Sequence, residues 1–461
     1  MTSLLALHFS YLGLGLALML LIFGRRPWPL GLRLGCAYFT GLLVHVGVLL
    51  AAWSMELPLD GLATTLRMVG LVAGVVAAAR LKRSPAPPPI ARPDGARRLN
   101  LLLWLVLLPP AALISVQLLG MPDVHYDSTA FWNLKAEWIL QGEGPDSAAF
   151  SDSRRVHASP SHPLYRPLFT YEHYLALGAA DDQAAKPGYW IALLAGFGLL
   201  GALLSRAVGR TAALAGIALV LWTPIMAGAP IHGSPGSTYV DIPVGLQYAI
   251  GLAFLLRAMS TRAALDLFGA AVATASVVLL KNEGVVWCAL FLPLGGLALL
   301  ASHRRRAAAH VAWLGLPLLA LVGWKALQSR LTPETLVRSP TPKQIVDLPS
   351  VMPRMADAWW QSLLDTGLWG VLGLALLIGT LVGIARNLRR ARVLVALIPV
   401  GQLCAVLLAV MLLELQKGGF DNWMSHAWDR LMLQLVPSAL LLTLVLNAPP
   451  PAEAPTEPPA T

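Results

Sequence analysis

Charge is what this 461-residue chain has least of. Asp, Glu, Lys and Arg make up 13% of it, against 56% hydrophobic residues, and a soluble domain carries about a quarter charged residues. That excludes a water-soluble globular protein and points to an integral membrane protein. Acids are the scarcer sign, 24 against 34 Lys and Arg. Cysteine occurs three times, as Cys36, Cys288 and Cys404, each alone in an apolar stretch, so neither a disulfide framework nor a cysteine zinc site is expected. No repeat of fixed period is visible.

What the chain does have is long apolar runs. A helix needs about 20 apolar residues to cross a bilayer, and candidates fall near 3–24, 29–53, 61–81, 99–119, 188–208, 211–229, 241–258, 263–280, 284–302, 307–327, 363–385, 392–413 and 430–447. The expected fold class is therefore an all-α polytopic membrane protein of about 13 transmembrane helices with a large outer-face loop. The first run has no basic n-region and no small-residue cleavage site, and Arg25 and Arg26 follow it. It reads as a retained helix.

Basic residues near helix ends favour the cytoplasmic side. With the N-terminus outside, 20 of the 34 basic residues fall in the inner connections and 20 of the 24 acids fall on the outer side. The net charge of +10 then reads as membrane anchoring, with no nucleic acid as partner. The expected organisation is 1–119 as N-terminal transmembrane helices, 120–186 as an outer loop, 187–327 as a central bundle, 328–362 as a second outer loop, 363–447 as C-terminal helices and 448–461 as a disordered low-complexity tail. The Pro-rich basic stretch 82–98 reads as an inner linker.

Long structured loops carry function more often than short turns. The first outer loop opens with HYDSTAFWNLKAEW (125–138). A helix from Asp127 gives Phe131, Leu134 and Trp138 one apolar stripe and suits a membrane-surface position with Trp at headgroup depth. On residue type alone Asp127 is a helix cap or a reacting acid, and Lys135 snorkels to water or binds anions. Further along, Lys281-Asn282-Glu283-Gly284 is either a tight turn with a paired Lys and Glu or a site whose charges are retained at bilayer depth for a task. Asp241 is a cap or a site residue, Arg430 an interface anchor or a phosphate ligand, and His162 a loop hydrogen-bonder or a ligand.

The pattern of Asp127, Trp132, Lys135 and Ala136 after an early transmembrane helix resembles the first outer loop of GT-C superfamily glycosyltransferases, of the mannosyltransferase and aminoarabinose-transferase type. SHPLYRPLF (161–169) is similar to the H-P-x-Y-P element of that family, with Arg166 where a Pro is usual. YVDIP (239–243), LLKNEG (279–284) and HAWDRLMLQLVP (426–437) resemble three further family elements in the same order. Three extra helices ahead of the motif depart from the family's usual single one.

The resemblance implies an inverting transfer of a sugar from a polyprenyl-phosphate donor to an envelope glycan, lipid or protein acceptor, on the outer face of a bacterial-type inner membrane. It implies Asp127 as the catalytic base. The implied substrate-binding residues are Lys135, Trp132, His162, Tyr165, Asp241, Lys281, Glu283 and Arg430, with Lys281 and Arg430 facing the phosphate. The resemblance implies no definite cofactor. A divalent cation at Asp127, with His125 beside it, stays an open alternative, since two ligands do not make a site. Asp357-Ala-Trp-Trp-Gln departs from the Trp-Trp-Asp signature of oligosaccharyltransferases and is set aside. The competing class is a polytopic transporter or lipid-linked sugar flippase, which places ionisable residues near the bilayer midplane.

Overall fold

The computed structural model describes residues 2–24, 28–81, 95–122, 127–152, 161–227, 237–261, 263–302, 312–331, 341–365, 369, 371–417 and 429–448. These residues are helical and contain no strand. The helices are α1 Thr2–Phe23, α2 Leu30–Ser54, α3 Leu59–Leu81, α4 Gly95–Gly120, α5 Leu134–Leu140, α6 Ala148–Ser151, α7 Tyr165–Leu177, α8 Asp182–Val208 and α9 Arg210–Leu221. They continue with α10 Pro224–Ala227, α11 Asp241–Thr261, α12 Ala264–Leu280, α13 Glu283–Ser302, α14 Gly315–Gln328, α15 Pro342–Leu364, α16 Leu372–Arg386, α17 Arg392–Lys417 and α18 Asp429–Asn447. A π-helical segment, Asp127–Asn133, runs into α5.

Each of the thirteen apolar runs contains a helix, yet only nine helices among the described residues are long and apolar enough to cross a membrane. The apolar helices Arg210–Leu221, Ala264–Leu280, Ala312–Gln328 and Leu372–Arg386 are shorter. The molecule is an all-α integral membrane protein on that basis. The tail beyond 448 and most of the 82–98 linker lie outside the described residues.

Helices α11 and α12 form the centre. They are apolar on every side, and a helix of that kind belongs inside a bundle. Every residue from Leu265 to Leu280 is buried, as are most of those in α11. Around this pair pack α8, α13, α14 and α18. A second unit is built on small residues. A Cβ on Gly15 would strike the carbonyl of Ala37, one on Gly41 that of Tyr11, and one on Gly70 that of Ser10. Glycine thus lets α1 pack backbone to backbone between α2 and α3.

The 120–186 region is more deeply built in than its sequence suggests. Helix α7 packs against α1, α2, α5, α8 and α12, and its first ten residues, Tyr165–Tyr174, are all buried. Trp132, Asn133, Lys135, Ala136, Trp138 and Ile139 are buried as well. The expected surface helix with one apolar stripe is thereby corrected. Partners cover several faces of the π segment and α5, so Trp132 and Trp138 sit in the protein core. In the 328–362 region the structure describes α15, which starts with a capping box between Thr341 and Gln344. It rests Val351 and Met355 on Val410 and Met411 of α17, with Ile345, Val346 and Met352 exposed.

Candidate functional site

Four helix ends meet around Asp241. This residue opens α11, Lys281 follows the last residue of α12, Glu283 opens α13, and Arg430 and Gln434 lie one turn apart at the start of α18. Lys281 Nζ donates to Asp241 Oδ1 at 2.9 Å and contacts Glu283 Oε1 at 3.1 Å. Gln434 Nε2 donates to the same Oδ1 at 2.7 Å, and Arg430 Nε donates to Oδ2 at 3.2 Å. The Arg430 guanidinium also lies 4.3 Å from the ring centre of Tyr239, a cation–π contact. Side-chain exposure rises outward from Asp241 at 0% through Lys281 at 8% and Arg430 at 16% to Glu283 at 26%.

That gradient assigns roles. Asp241 is buried and accepts from three donors, so its charge is spent on orienting Lys281, Arg430 and Gln434. The two cations and Glu283 are the members that reach toward the surface. Among the described residues the cluster joins two acids to two bases. The turn carrying Lys281 is tight because a Cβ on Gly284 would strike the Val277 carbonyl. Beneath it, Tyr248 stacks on Trp287 at 3.9 Å and Gln402 donates to both the Tyr248 hydroxyl and the Glu283 carbonyl.

A second, aromatic group lies nearby. Lys135 is wholly buried with Nζ 5.2 Å from the Trp132 ring centre, which rules out snorkelling to water. The His162 ring lies 5.9 Å from Trp132 and 6.0 Å from Phe131, centre to centre. Gln328, at the end of α14, links the two groups by donating to the Ser161 carbonyl at 2.9 Å and to Asn282 Oδ1 at 3.4 Å. Tyr165 approaches the charged cluster through Val240 and Leu280, the residues that precede Asp241 and Lys281. With Arg166 it lines an apolar cavity whose other walls include Phe169, Tyr189, Leu280 and Val240. Arg166 is stacked there 5.0 Å from the Tyr189 ring centre. Asp127 begins the π segment, an irregularity frequent at functional positions. Its side chain and His125 lie outside the described residues. Among the described residues no group of three His, Cys, Asp or Glu is placed to hold a metal ion.

Sequence reasoning missed Gln434, Gln402, Gln328 and Tyr239. Gln434 had a signal, since it lies four residues after Arg430 on the same helical face. It also missed a buried network between α1, α2 and α7. Glu172 accepts from the Tyr11 hydroxyl at 2.9 Å and pairs with His45 Nδ1 at 2.9 Å, both carboxylate and imidazole being fully buried. Beside them His173 Nδ1 donates to the Phe169 carbonyl, which leaves Nε2 to accept from His8 Nε2 at 3.1 Å. His8 Nδ1 must then accept from the Tyr38 hydroxyl at 2.7 Å. Each tautomer in the chain follows from its one carbonyl end.

Comparison with protein-family models, with curated proteins and with solved structures yields no match for this chain.

Proposed function

We propose that this chain is a GT-C-type membrane glycosyltransferase that moves a sugar from a polyprenyl-phosphate donor to an envelope glycan, lipid or protein acceptor on the outer face of the cytoplasmic membrane. One observation carries the reading. Asp241, Lys281, Glu283 and Arg430 come from three sequence elements that each resemble that family, and they join in one chain of contacts, Glu283 to Lys281, Lys281 to Asp241 and Asp241 to Arg430.

In this reading an acceptor hydroxyl attacks the anomeric carbon while the bond from that carbon to the phosphate oxygen breaks. The proton passes to the Asp127 carboxylate as general base, and the lipid phosphate departs with the bonding electrons. Lys281 and Arg430 are pre-oriented cations for the charge that grows on the phosphate, and Asp241 is the positioning residue that holds both. Glu283, the most open member, and the Trp132, Lys135 and His162 group line the sugar side. A divalent cation is not needed for this scheme. The test is incubation of the purified protein with a panel of polyprenyl-phosphate sugars. Release of polyprenyl phosphate with transfer or hydrolysis of one sugar supports the reading, and inertness toward the whole panel, with the protein folded, sinks it.

A transporter or flippase is the second reading, favoured by the Glu172, His45, His8 and His173 network. Buried ionisable groups between apolar helices are the usual mark of a proton or ion path. Movement of a labelled polyprenyl-phosphate sugar across proteoliposomes, without loss of the sugar, would decide for it.

A further inference from the structure

The end of the bundle opposite Asp241 carries its own charged pocket, independent of the enzymatic reading. Along α11 Arg257 lies 16 positions after Asp241, about 24 Å along the helix axis. At that far end α8, α11, α17 and α18 enclose a cavity of ≈ 160 Å³. Its polar lining is Arg206, Arg257, Arg392, Ser260 and Thr261, and its apolar walls include Leu203, Leu256, Leu441 and Val445.

Three guanidinium groups thus border one small space. Among the described residues only Arg257 has an acid at hand, Asp266, whose Oδ1 accepts from Arg257 Nε at 2.9 Å while Oδ2 accepts from Thr261. Asp266 is fully buried and committed to that pair. Arg206 lies close enough to Arg257 for their charges to repel. Arg392 opens α17, where the helix dipole adds positive potential. A cleft lined by one sign of charge concentrates ions of the other sign, so this pocket attracts anions. The cavity is large enough to admit a phosphate group. Leu203, Leu256, Leu441 and Val445 give the start of an acyl chain an apolar wall to lie against. The distribution of Lys and Arg puts this end on the cytoplasmic side, where anionic lipids attract basic pockets between helices.

We propose that this pocket holds the phosphate of an anionic phospholipid headgroup, with Arg206 and Arg392 as the binding cations and Arg257 held in place by Asp266. The experiment uses the full chain, delipidated in detergent, with thermal stability followed as phosphatidylglycerol is titrated. Arg206→Gln/Arg392→Gln removes two exposed or half-exposed charges and leaves the Arg257–Asp266 pair intact. It should need at least about tenfold more phosphatidylglycerol for the half-maximal shift. Arg80→Gln/Arg98→Gln removes the same charge from the same end, away from the pocket, and should titrate as the wild type does. Phosphatidylethanolamine and inorganic phosphate should give no shift. Should the double variant not fold, Arg392→Gln alone reads the loss of one cation, about fivefold. Unchanged titration by the pocket variants, an equal loss in the control pair, or an equal shift from inorganic phosphate would each overturn the lipid assignment.

Discussion

Replacing a charged side chain with its amide separates the two roles open to each residue of the cluster. Lys281→Gln and Arg430→Gln each remove one charge-assisted hydrogen bond, typically about 1.5–3 kcal/mol. In the glycosyltransferase reading both should raise the donor concentration for half-maximal rate by about tenfold or more, with the acceptor dependence little changed. Unaltered donor dependence would leave the cluster a structural clasp. Asp127→Asn asks the same of the loop. Asn caps a helix as well as Asp does, so a capping role forecasts normal turnover, whereas loss of a general base slows turnover by about 10²–10⁴. The slow outcome, in a folded protein that still binds donor, is the one expected. A third residue pair lies outside the spans. Arg330 hydrogen-bonds Asp146 at 2.7 Å and holds its carboxyl below the usual carboxylate range. A depressed folded pKa adds stability that is complete above the unfolded value of about 3.9 and is lost as pH falls through the folded value. The melting-temperature gap between wild type and Asp146→Asn should therefore close as the pH drops below about 4, and a gap independent of pH would remove the ion pair from the account. Lys281, Glu283, Asp241 and Arg430 could be nominated from sequence because a charge flanking an apolar run needs a reason to be there. Glu172, His45 and Tyr11 could not be assembled the same way, since their meeting depends on how α1, α2 and α7 pack.

Elements built on close backbone approach are the least tolerant of added atoms. Gly41 and Gly47 lie on the same helix, α2, yet a Cβ on Gly41 would strike the Tyr11 carbonyl while one on Gly47 meets nothing within 4 Å. Gly41→Ala is expected to lower stability by about 1–3 kcal/mol through overpacking, and Gly47→Ala to be neutral or stabilising, as alanine is the better helix former. Chemical unfolding in detergent reads both, and equal behaviour of the two variants would refute the packing account. The helices themselves were written in the sequence, because the bilayer demands apolar runs and nothing else in the chain imitates them. The segment after Asp127 was misjudged. A spacing of three and seven residues finds one apolar stripe, but it cannot report that neighbours cover the remaining faces, nor that the backbone takes π rather than α geometry from Asp127 to Asn133. The length of α12 was legible, the run 263–280 against the helix Ala264–Leu280, whereas its burial on all sides was not.

Charge is sorted along the whole molecule as well as within its sites. The cluster at Asp241 and the arginine pocket lie at opposite ends of α11 and α18, which fits the alternation of the apolar runs. Cys36 and Cys288 are buried and Cys404 is exposed, so a Cys404→Ser background suits sidedness labelling. An added Ser151→Cys should react with an impermeant thiol reagent from outside intact cells, and Arg80→Cys should not. The reverse pattern would invert the topology and carry the proposed site to the other face. The same sorting has a consequence for synthesis of the chain. Asp241 leaves the ribosome before either cation that neutralises it, Lys281 following 40 residues later and Arg430 189 residues later. At about 5–20 residues per second the second partner arrives roughly 10–40 s after the acid. Lys281 can pair with the carboxylate early, and Arg430 and Gln434 complete its set of donors only when α18 is made. The centre of the bundle around Asp241 therefore takes its final form only once α18 has been made.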